Sequence, residues 1–311
     1  MEERILQFLH ETYPIHCDLV EAVTNEMYRC RAAEGGFFVR ITNYKTDREQ
    51  AEEVNWVNFL YHEGIGVPQP IPSRKGTFVE KVMLDEEKLA VVFQAAPGIH
   101  LPRSQWNSSI FRKLGQQMGR MHRASRAYTE REAAVYIKDW HDNDEYDFLA
   151  HIPREETVIR DMARDVLDRV NKLPRDPDYY GIIHGDLWLE NILVDRDHKL
   201  TMIDFQDCEK HYYGFDLAVP IYSALEFSFA GKGNIGEYAQ SIAGALIEGY
   251  QEENDLPAEV LQHMPIFMKL KELFEYNLMH MYWNRDELTE EQVRIMNLYR
   301  IRIEQNHVIK I

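Results

Sequence analysis

The sequence predicts an α+β protein, with strand hairpins gathered in its first hundred residues and helices through most of the rest. Three observations predict this. Apolar and β-branched runs alternate with turn residues between 19 and 94. From Arg103 onward apolar residues recur at helical spacing instead. Among those helices lies one short hairpin, in which Ile192-Leu193-Val194 and the run Leu200 to Ile203 flank the polar turn Asp195-Arg196-Asp197-His198. A chain of 311 residues that is 45% hydrophobic can bury a sizeable core in one large domain or two lobes.

The elements follow in order. Ile5, Leu6, Phe8 and Leu9 mark an amphipathic opening helix. Residues 19–32 and 37–42 read as strands joined by Glu34-Gly35-Gly36, with an earlier hairpin tip at Thr24-Asn25-Glu26. A helix from Asp47 to Glu63 carries Val54, Val57, Phe59 and Leu60 on its apolar side. Thr77 to Met83 and Lys88 to Gln94 form a second hairpin around Asp85-Glu86-Glu87, and Pro97-Gly98 stops it. Phe111, Leu114, Met118 and Met121 line one face of a helix ending near His122. Residues 128–152 read as irregular. Within them Asp139 to Asp147 packs five carboxylates and two aromatic rings, which suits either a solvated loop or a site for an amine-bearing molecule. A helix from Glu155 to Asn171 and a turn at 174–178 lead to Gly181-Ile182-Ile183. The remainder is helical at roughly 217–229, 235–252, 257–283 and 288–305, broken at Gly231-Lys232-Gly233-Asn234.

Bulk properties exclude several classes. No apolar run reaches the eighteen or more residues of a membrane span, and Met1-Glu2-Glu3-Arg4 lacks the basic-then-apolar order of a signal peptide. Three scattered cysteines, Cys17, Cys30 and Cys208, fit free thiols in a reducing cytoplasm, not a disulfide framework or a zinc site. A net charge of −17, spread evenly along the chain, argues against nucleic acid or an anionic membrane as partner.

Chemistry concentrates in His184-Gly185-Asp186-Leu187-Trp188-Leu189-Glu190-Asn191 and the later Met202-Ile203-Asp204-Phe205. Three oxygen-bearing side chains, Asp186, Asn191 and Asp204, stand at the rim of the hairpin. A hard cation such as Mg²⁺ takes such ligands, usually one or two carboxylates plus substrate phosphates. Phosphoryl transfer also needs an Asp that accepts a hydroxyl proton and orients the nucleophile. An Asp followed five positions later by Asn, with a second Asp beyond, is the spacing of a kinase catalytic loop. No G-x-x-x-x-G-K-[ST] occurs, which excludes a P-loop NTPase.

The His-Gly-Asp form resembles the aminoglycoside phosphotransferase and choline kinase-like family of small-molecule kinases, which also includes homoserine kinase-like members. That resemblance implies a protein-kinase-like two-lobe fold: an N-lobe over residues 1–96 with an antiparallel sheet and one helix, and a mostly helical C-lobe over 97–311. It implies ATP between the lobes, Mg²⁺ on Asn191 and Asp204, and Asp186 as the residue that orients or deprotonates the acceptor hydroxyl. Arg40 stands where the pattern has a lysine for the α/β-phosphates, and Glu53 is its implied partner, with Glu49 and Glu52 on nearby faces. Asn25 matches an Asn at the tip of the phosphate-covering hairpin. The backbone of Gln94 to Ala96 would meet an adenine edge, walled by Val91 or Phe93, and Asp216 would brace the catalytic loop. Trp188 and Glu190 depart from the family's frequent His-Pro-Gly-Asn ending. The short gap from Asp204 to Asp216 leaves no room for the peptide-docking segment of a protein kinase, so the implied partner is a small-molecule hydroxyl acceptor. Aminoglycosides, choline, homoserine, methylthioribose and other sugars are acceptors in proteins of this type. A nucleotide-binding pseudokinase and a protein-modifying kinase are the alternatives.

Overall fold

The computed structural model describes residues 1–33, 35–132, 136–226 and 235–306. The chain forms two compact units. The first takes Met1–Leu101, Ala127–Ile137 and Glu190–Cys208; the second takes Pro102–Arg126, Lys138–Leu189 and Glu209–Ile311. The expected α+β class is what the chain adopts, and no helix of the described residues is long and apolar enough to cross a membrane.

In the first unit, β1 (Leu19–Ala22), β2 (Met27–Ala32), β3 (Gly35–Thr42), β4 (Pro70–Ile71), β5 (Val79–Met83) and β6 (Glu87–Gln94) make one antiparallel sheet. Its order is β1-β2-β3-β6-β4, with β5 also on β6. Alternation along β3 turns Phe37, Val39 and Ile41 to one face. There they join Tyr28, Cys30 and Val92, and the helix α1 (Glu2–Thr12) supplies Ile5 and Leu9 to the same core. Arg40 has the opposite parity and so meets α2 (Asp47–His62), whose start is fixed by a capping box between Thr46 and Glu49. The hairpin between β2 and β3 closes earlier than the expected Glu34-Gly35-Gly36 turn. Gly35 and Gly36 pair with Ala32 and Arg31 in the ladder, and Gly35 does so at φ 126°, a conformation open to glycine. Glu34 lies outside the described residues.

The chain leaves α2 through Gly66-Val67-Pro68, and here backbone meets backbone. A Cβ on Gly66 would sit 2.0 Å from the Leu200 carbonyl oxygen, and Gly66 accepts a 2.8 Å hydrogen bond from Met202 N–H. The loop is thereby docked on the hairpin of β9 (Ile192–Val194) and β10 (Leu200–Met202), to which β7 (Ile99–His100) adds a third strand.

In the second unit a two-stranded ladder of β8 (Tyr180–Ile183) and β11 (Glu209–Tyr212) runs into the polar loop at 184. Around it lie α4 (Phe148–His151), α5 (Thr157–Val170), α6 (Tyr213–Glu226), α7 (Ile235–Gln251), α8 (Ala258–Tyr282) and α9 (Glu290–Glu304). Every residue of α6 from Tyr213 to Leu225 is buried, as expected of a helix apolar all round. The helix α3 (Ser108–Glu132) runs ten residues past the end expected near His122. The buried stripe continues there through Ala124, Ser125 and Tyr128, two of them too small or too polar to read as core in the sequence. Residues 128–132 are therefore helical, and residues 136–152 of the stretch expected to be irregular form short turns and α4. α3 and α7 touch backbone to backbone: a Cβ on Gly115 would lie 2.0 Å from Leu246 O, and one on Gly249 1.9 Å from Arg112 O. The expected break at 231–234 and residues 227–229 of the preceding helix lie outside the described residues.

Gly66→Ala should cost about 2–3 kcal/mol through overpacking, read as a lower urea midpoint. Gly244→Ala on α7, where a Cβ would meet nothing within 4 Å, should be neutral or stabilising by up to about 1 kcal/mol. Equal midpoints for the two variants would contradict the close approach at Gly66.

Candidate active site

In the first unit one buried cluster of charged groups centres on Glu53. This carboxylate, 1% exposed, accepts from the Arg40 guanidinium on Oε1, and from Lys45 Nζ at 2.7 Å and Gln50 Nε2 at 3.0 Å on Oε2. The Arg40 guanidinium also lies 5.7 Å from the Phe93 ring centroid. Burial alone would lower the Arg40 pKa, but Glu53 more than reverses that, with Tyr44 and Asp204 adding to the field. Lys45 follows the same pattern: burial lowers its pKa, and the fields of Cys208 and Glu53 raise it above the ordinary value. Lys45 also donates to the backbone carbonyl of Gln206, which ties the end of β3 to the turn after Asp204. Of Arg40, Glu49, Glu52 and Glu53, the structure brings Arg40 to Glu53; Glu49 is spent on the α2 cap, and Glu52 accepts from the Tyr136 N–H.

Asn191 and Asp204 are set by the β9–β10 register. Ile192 pairs with Met202, and one step outward Ile203 N–H donates to the Asn191 carbonyl at 2.9 Å, so the two residues flank the open end of one hairpin. Asp204 is left-handed at φ 66°, an uncommon state for a residue with a Cβ, and it opens a short 3-10 turn whose Phe205 is buried 5.4 Å from Trp56. Among the described residues no group of three His, Cys, Asp or Glu side chains is arranged to hold a metal. Asn191 and Asp204 offer oxygen ligands alone, the donor set of a hard cation that takes its remaining ligands from phosphate and water.

Asn25 is exposed at its hairpin tip, where Thr24 Oγ1 accepts from the N–H groups of Glu26 and Met27 and makes the turn without glycine. At the end of β6, Gln94 N–H donates to the Gln69 carbonyl and Ala95 N–H to that of Gly36, while Ala96 follows, half-buried.

The second unit holds Asp186 and its surroundings. The buried Asp216 carboxylate accepts from Gly185 N–H at 3.0 Å and, more weakly, from His184 N–H at 3.4 Å. His122 Nε2 lies 2.9 Å from Asp216 Oδ2, its Nδ1 lies 3.0 Å from the Tyr250 hydroxyl, and Asn254 Nδ2 donates to that hydroxyl at 2.8 Å. Burial would raise the Asp216 pKa, but the hydrogen bond from His122 and the field around it bring it below the ordinary value. Gly185 takes φ 84°, so a residue without a Cβ is favoured where the chain turns into Asp186.

Two residues near Asp186 escaped the sequence reading. Lys271 on α8, fully buried, sets Nζ 2.7 Å from Glu275 Oε1 and 3.4 Å from Asp186 Oδ1. Its ammonium also lies 5.4 Å from the Trp188 ring and 5.1 Å from the Phe274 ring. The available signal was a Lys and a Glu four apart inside an apolar and aromatic stripe; Lys45, Gln50 and His122 had weaker ones. In the acidic stretch 139–147, Asp142, Asp144 and Asp147 are exposed, while Asp139 and Glu145 are engaged by neighbouring side chains. Trp140 and Tyr146 are buried, Asp139 accepts from Tyr180 at 2.6 Å and Arg175 at 3.1 Å, and Glu145 accepts from Tyr282 at 2.7 Å.

Comparison with known proteins gives the context. The model of the "Phosphotransferase enzyme family" matches residues 18–255. The chain is 26% identical to amicoumacin kinase of Bacillus subtilis (strain 168), over 97% of this chain and 92% of that protein. It is 25% identical to the homoserine kinase of Parvibaculum lavamentivorans over 78% and 73%. Among solved structures, amicoumacin kinase hAmiN in complex with AMP-PNP, Ca2+ and Ami superposes with a TM-score of 0.90 at 23% identity, covering 99% of this chain and 95% of that one. A microcompartment-associated aminopropanol kinase superposes at 0.74 with 23% identity, covering 97% and 95%. The fold class is thus the kinase-like α+β fold.

Glu53→Ala should destabilise the protein by about 3–5 kcal/mol, because it strands the buried Arg40 guanidinium. Lys45→Met, which leaves the Arg40 pair intact, should cost clearly less. Urea titrations of both variants test this, and equal losses would mean that the pair is not the stabilising contact.

Proposed function

The chain belongs to the phosphotransferase enzyme family, and from that premise we propose how its residues share the work of moving the γ-phosphate of ATP to an alcohol group. Asp186 orients the acceptor hydroxyl and takes its proton as the oxygen attacks phosphorus. Asn191 and Asp204 would hold Mg²⁺ together with phosphate oxygens; when bound, the ion neutralises charge on the transferring group. Arg40, kept in place by Glu53, steadies the α/β-phosphates. Arg preserves the charge of the usual lysine and offers a fork that suits phosphate oxygens. The Asn25 hairpin covers the phosphates. Since Gln94 and Ala95 have given their N–H groups to Gln69 and Gly36, the N–H in that stretch assigned to an adenine edge is that of Ala96. Catalysis by such a set is mostly positioning and charge stabilisation.

The observation that carries this reading is the Ile203–Asn191 hydrogen bond, which brings Asn191 beside Asp204 while five residues of chain link Asn191 to Asp186. The acceptor class we favour is a hydroxyl compound that also bears an amine, as amicoumacin, aminopropanol and homoserine kinases are among the proteins this chain is similar to. Free cysteines and the use of ATP suit work in the cytoplasm.

ADP release from Mg-ATP should be stimulated by one member of a panel of amino alcohols, aminoglycosides, homoserine and sugars. Asp186→Ala should lower kcat by about 10²- to 10⁴-fold while the protein still binds ATP. Asp204→Ala should lose Mg²⁺-dependent nucleotide binding in calorimetry. Undiminished turnover by Asp186→Ala would sink the assignment. Mg-ATP binding with no stimulation by any acceptor would favour the pseudokinase alternative.

A further inference from the structure

We infer that Lys271, reaching from α8, is a positioning residue for the transfer reaction: its ammonium holds the Asp186 carboxylate in the orientation that receives the acceptor hydroxyl. This rests on the role of Asp186 proposed above.

The surroundings of Lys271 carry the argument. A fully buried lysine is rare, because desolvating an ammonium is costly unless its donors are satisfied. Glu275 alone would satisfy the charge, since it lies one turn further along the same helix at 2.7 Å. Yet the side chain is also walled in by two rings, Trp188 and Phe274, and extends to 3.4 Å from Asp186 Oδ1. Trp188 belongs to the same loop as Asp186, two residues on. Both the carboxylate and the aromatic wall of that loop therefore bear on one cation from α8. The other charged group whose field reaches this cluster is Glu226 on α6, which acts on Glu275, while Glu272 on α8 and Arg302 on α9 act on the neighbouring Tyr222. Glu272 and Arg302 pair with each other at 2.7 Å, and Glu226 accepts from Tyr299 at 2.6 Å. Burial would lower the Lys271 pKa, but Glu275 and Asp186 raise it above the ordinary lysine value, so the group stays an ammonium across the working pH range.

An ammonium fixed on one oxygen of the carboxylate restricts the rotation of Asp186, and the reacting oxygens must be aligned within a small tolerance. Lys271 touches no reacting atom in this scheme and acts through Asp186.

Two measurements test it. In the ligand-free protein, the ¹⁵N resonance of the Lys271 ammonium, assigned by its absence from Lys271→Met, should move on Asp186→Asn substitution. An unchanged resonance overturns the proposal, whether or not the protein is a kinase. With Mg-ATP and the acceptor that gives turnover in the panel, Lys271→Met should lower kcat by about 10- to 100-fold with little change in the KM for ATP. Ethylammonium should restore part of the loss in Lys271→Ala. A kcat equal to that of the parent protein, or a loss confined to the KM for ATP, overturns it. If neither Lys271 variant folds, Glu275→Gln decides, with the ammonium resonance followed in the Glu275→Gln and Glu275→Gln/Asp186→Asn proteins. An Asp186-dependent shift supports the inference and its absence overturns it.

Discussion

One buried carboxylate, Asp216, fixes the turn that leads into Asp186. A carboxylate without exposure must be met by donors or become protonated. Here the donors form a single chain, from Asn254 through Tyr250 and His122 to Asp216, consistent with a His122 tautomer whose proton sits on Nε2. The carboxylate then passes the constraint to the backbone by accepting from Gly185 N–H. His122 is also stacked on Tyr213 at 4.2 Å, so ring packing and hydrogen bonding agree on one orientation. Four side chains, from α3, α6, α7 and the turn after α7, thus serve a turn of two residues. Such a network is valuable only when complete, because each unpaired member would pay the full cost of burial.

In the first unit Glu53 plays a comparable part for cations. Arg40, Lys45 and Gln50 divide its two oxygens among them, and Lys45 continues to the carbonyl of Gln206. The strand that carries Arg40 is therefore linked, through one carboxylate, to the turn that follows Asp204. In the phosphate role proposed for Arg40, the planar guanidinium would give Glu53 a donor while retaining others for phosphate, and Phe93 lies 5.7 Å away as a ring face.

Much of this was legible in the sequence, and the reasons differ by residue. The pairing of hairpins and the helical remainder followed from periodicity, which reports burial directly. Asp186 and Asn191 could be singled out together because five residues of chain bound their separation to about 18 Å at most, so the offset itself carries geometry. Asp216 was legible only through resemblance, and the network behind it was not, since His122 and Tyr250 look like ordinary members of apolar stripes. Lys271 was hidden for the opposite reason. A lysine in a helix reads as solvent-facing, and only tertiary packing makes it the most buried charge in its surroundings. The end of α3 was misplaced because Ala124 and Ser125 are buried without being strongly apolar.

The departures from the family's loop pattern also acquire a physical reading. Trp188 stands where the resemblance would put a smaller polar residue, and its ring faces the Lys271 ammonium. A large aromatic at this point covers one side of the ammonium, while the Asp186 side chain stays 33% exposed. Beyond the loop, Asp204 holds a left-handed backbone that costs of the order of 1 kcal/mol or more without the help of glycine. The strain persists because the β9–β10 ladder fixes the residues before it and the Trp56–Phe205 contact fixes those after it. Packing in the first unit thus stabilises the conformation at Asp204, just as the Asp216 network in the second unit stabilises the turn at Gly185. In each case a special backbone state lies at or next to a residue assigned to the chemistry, and buried neighbours hold it there.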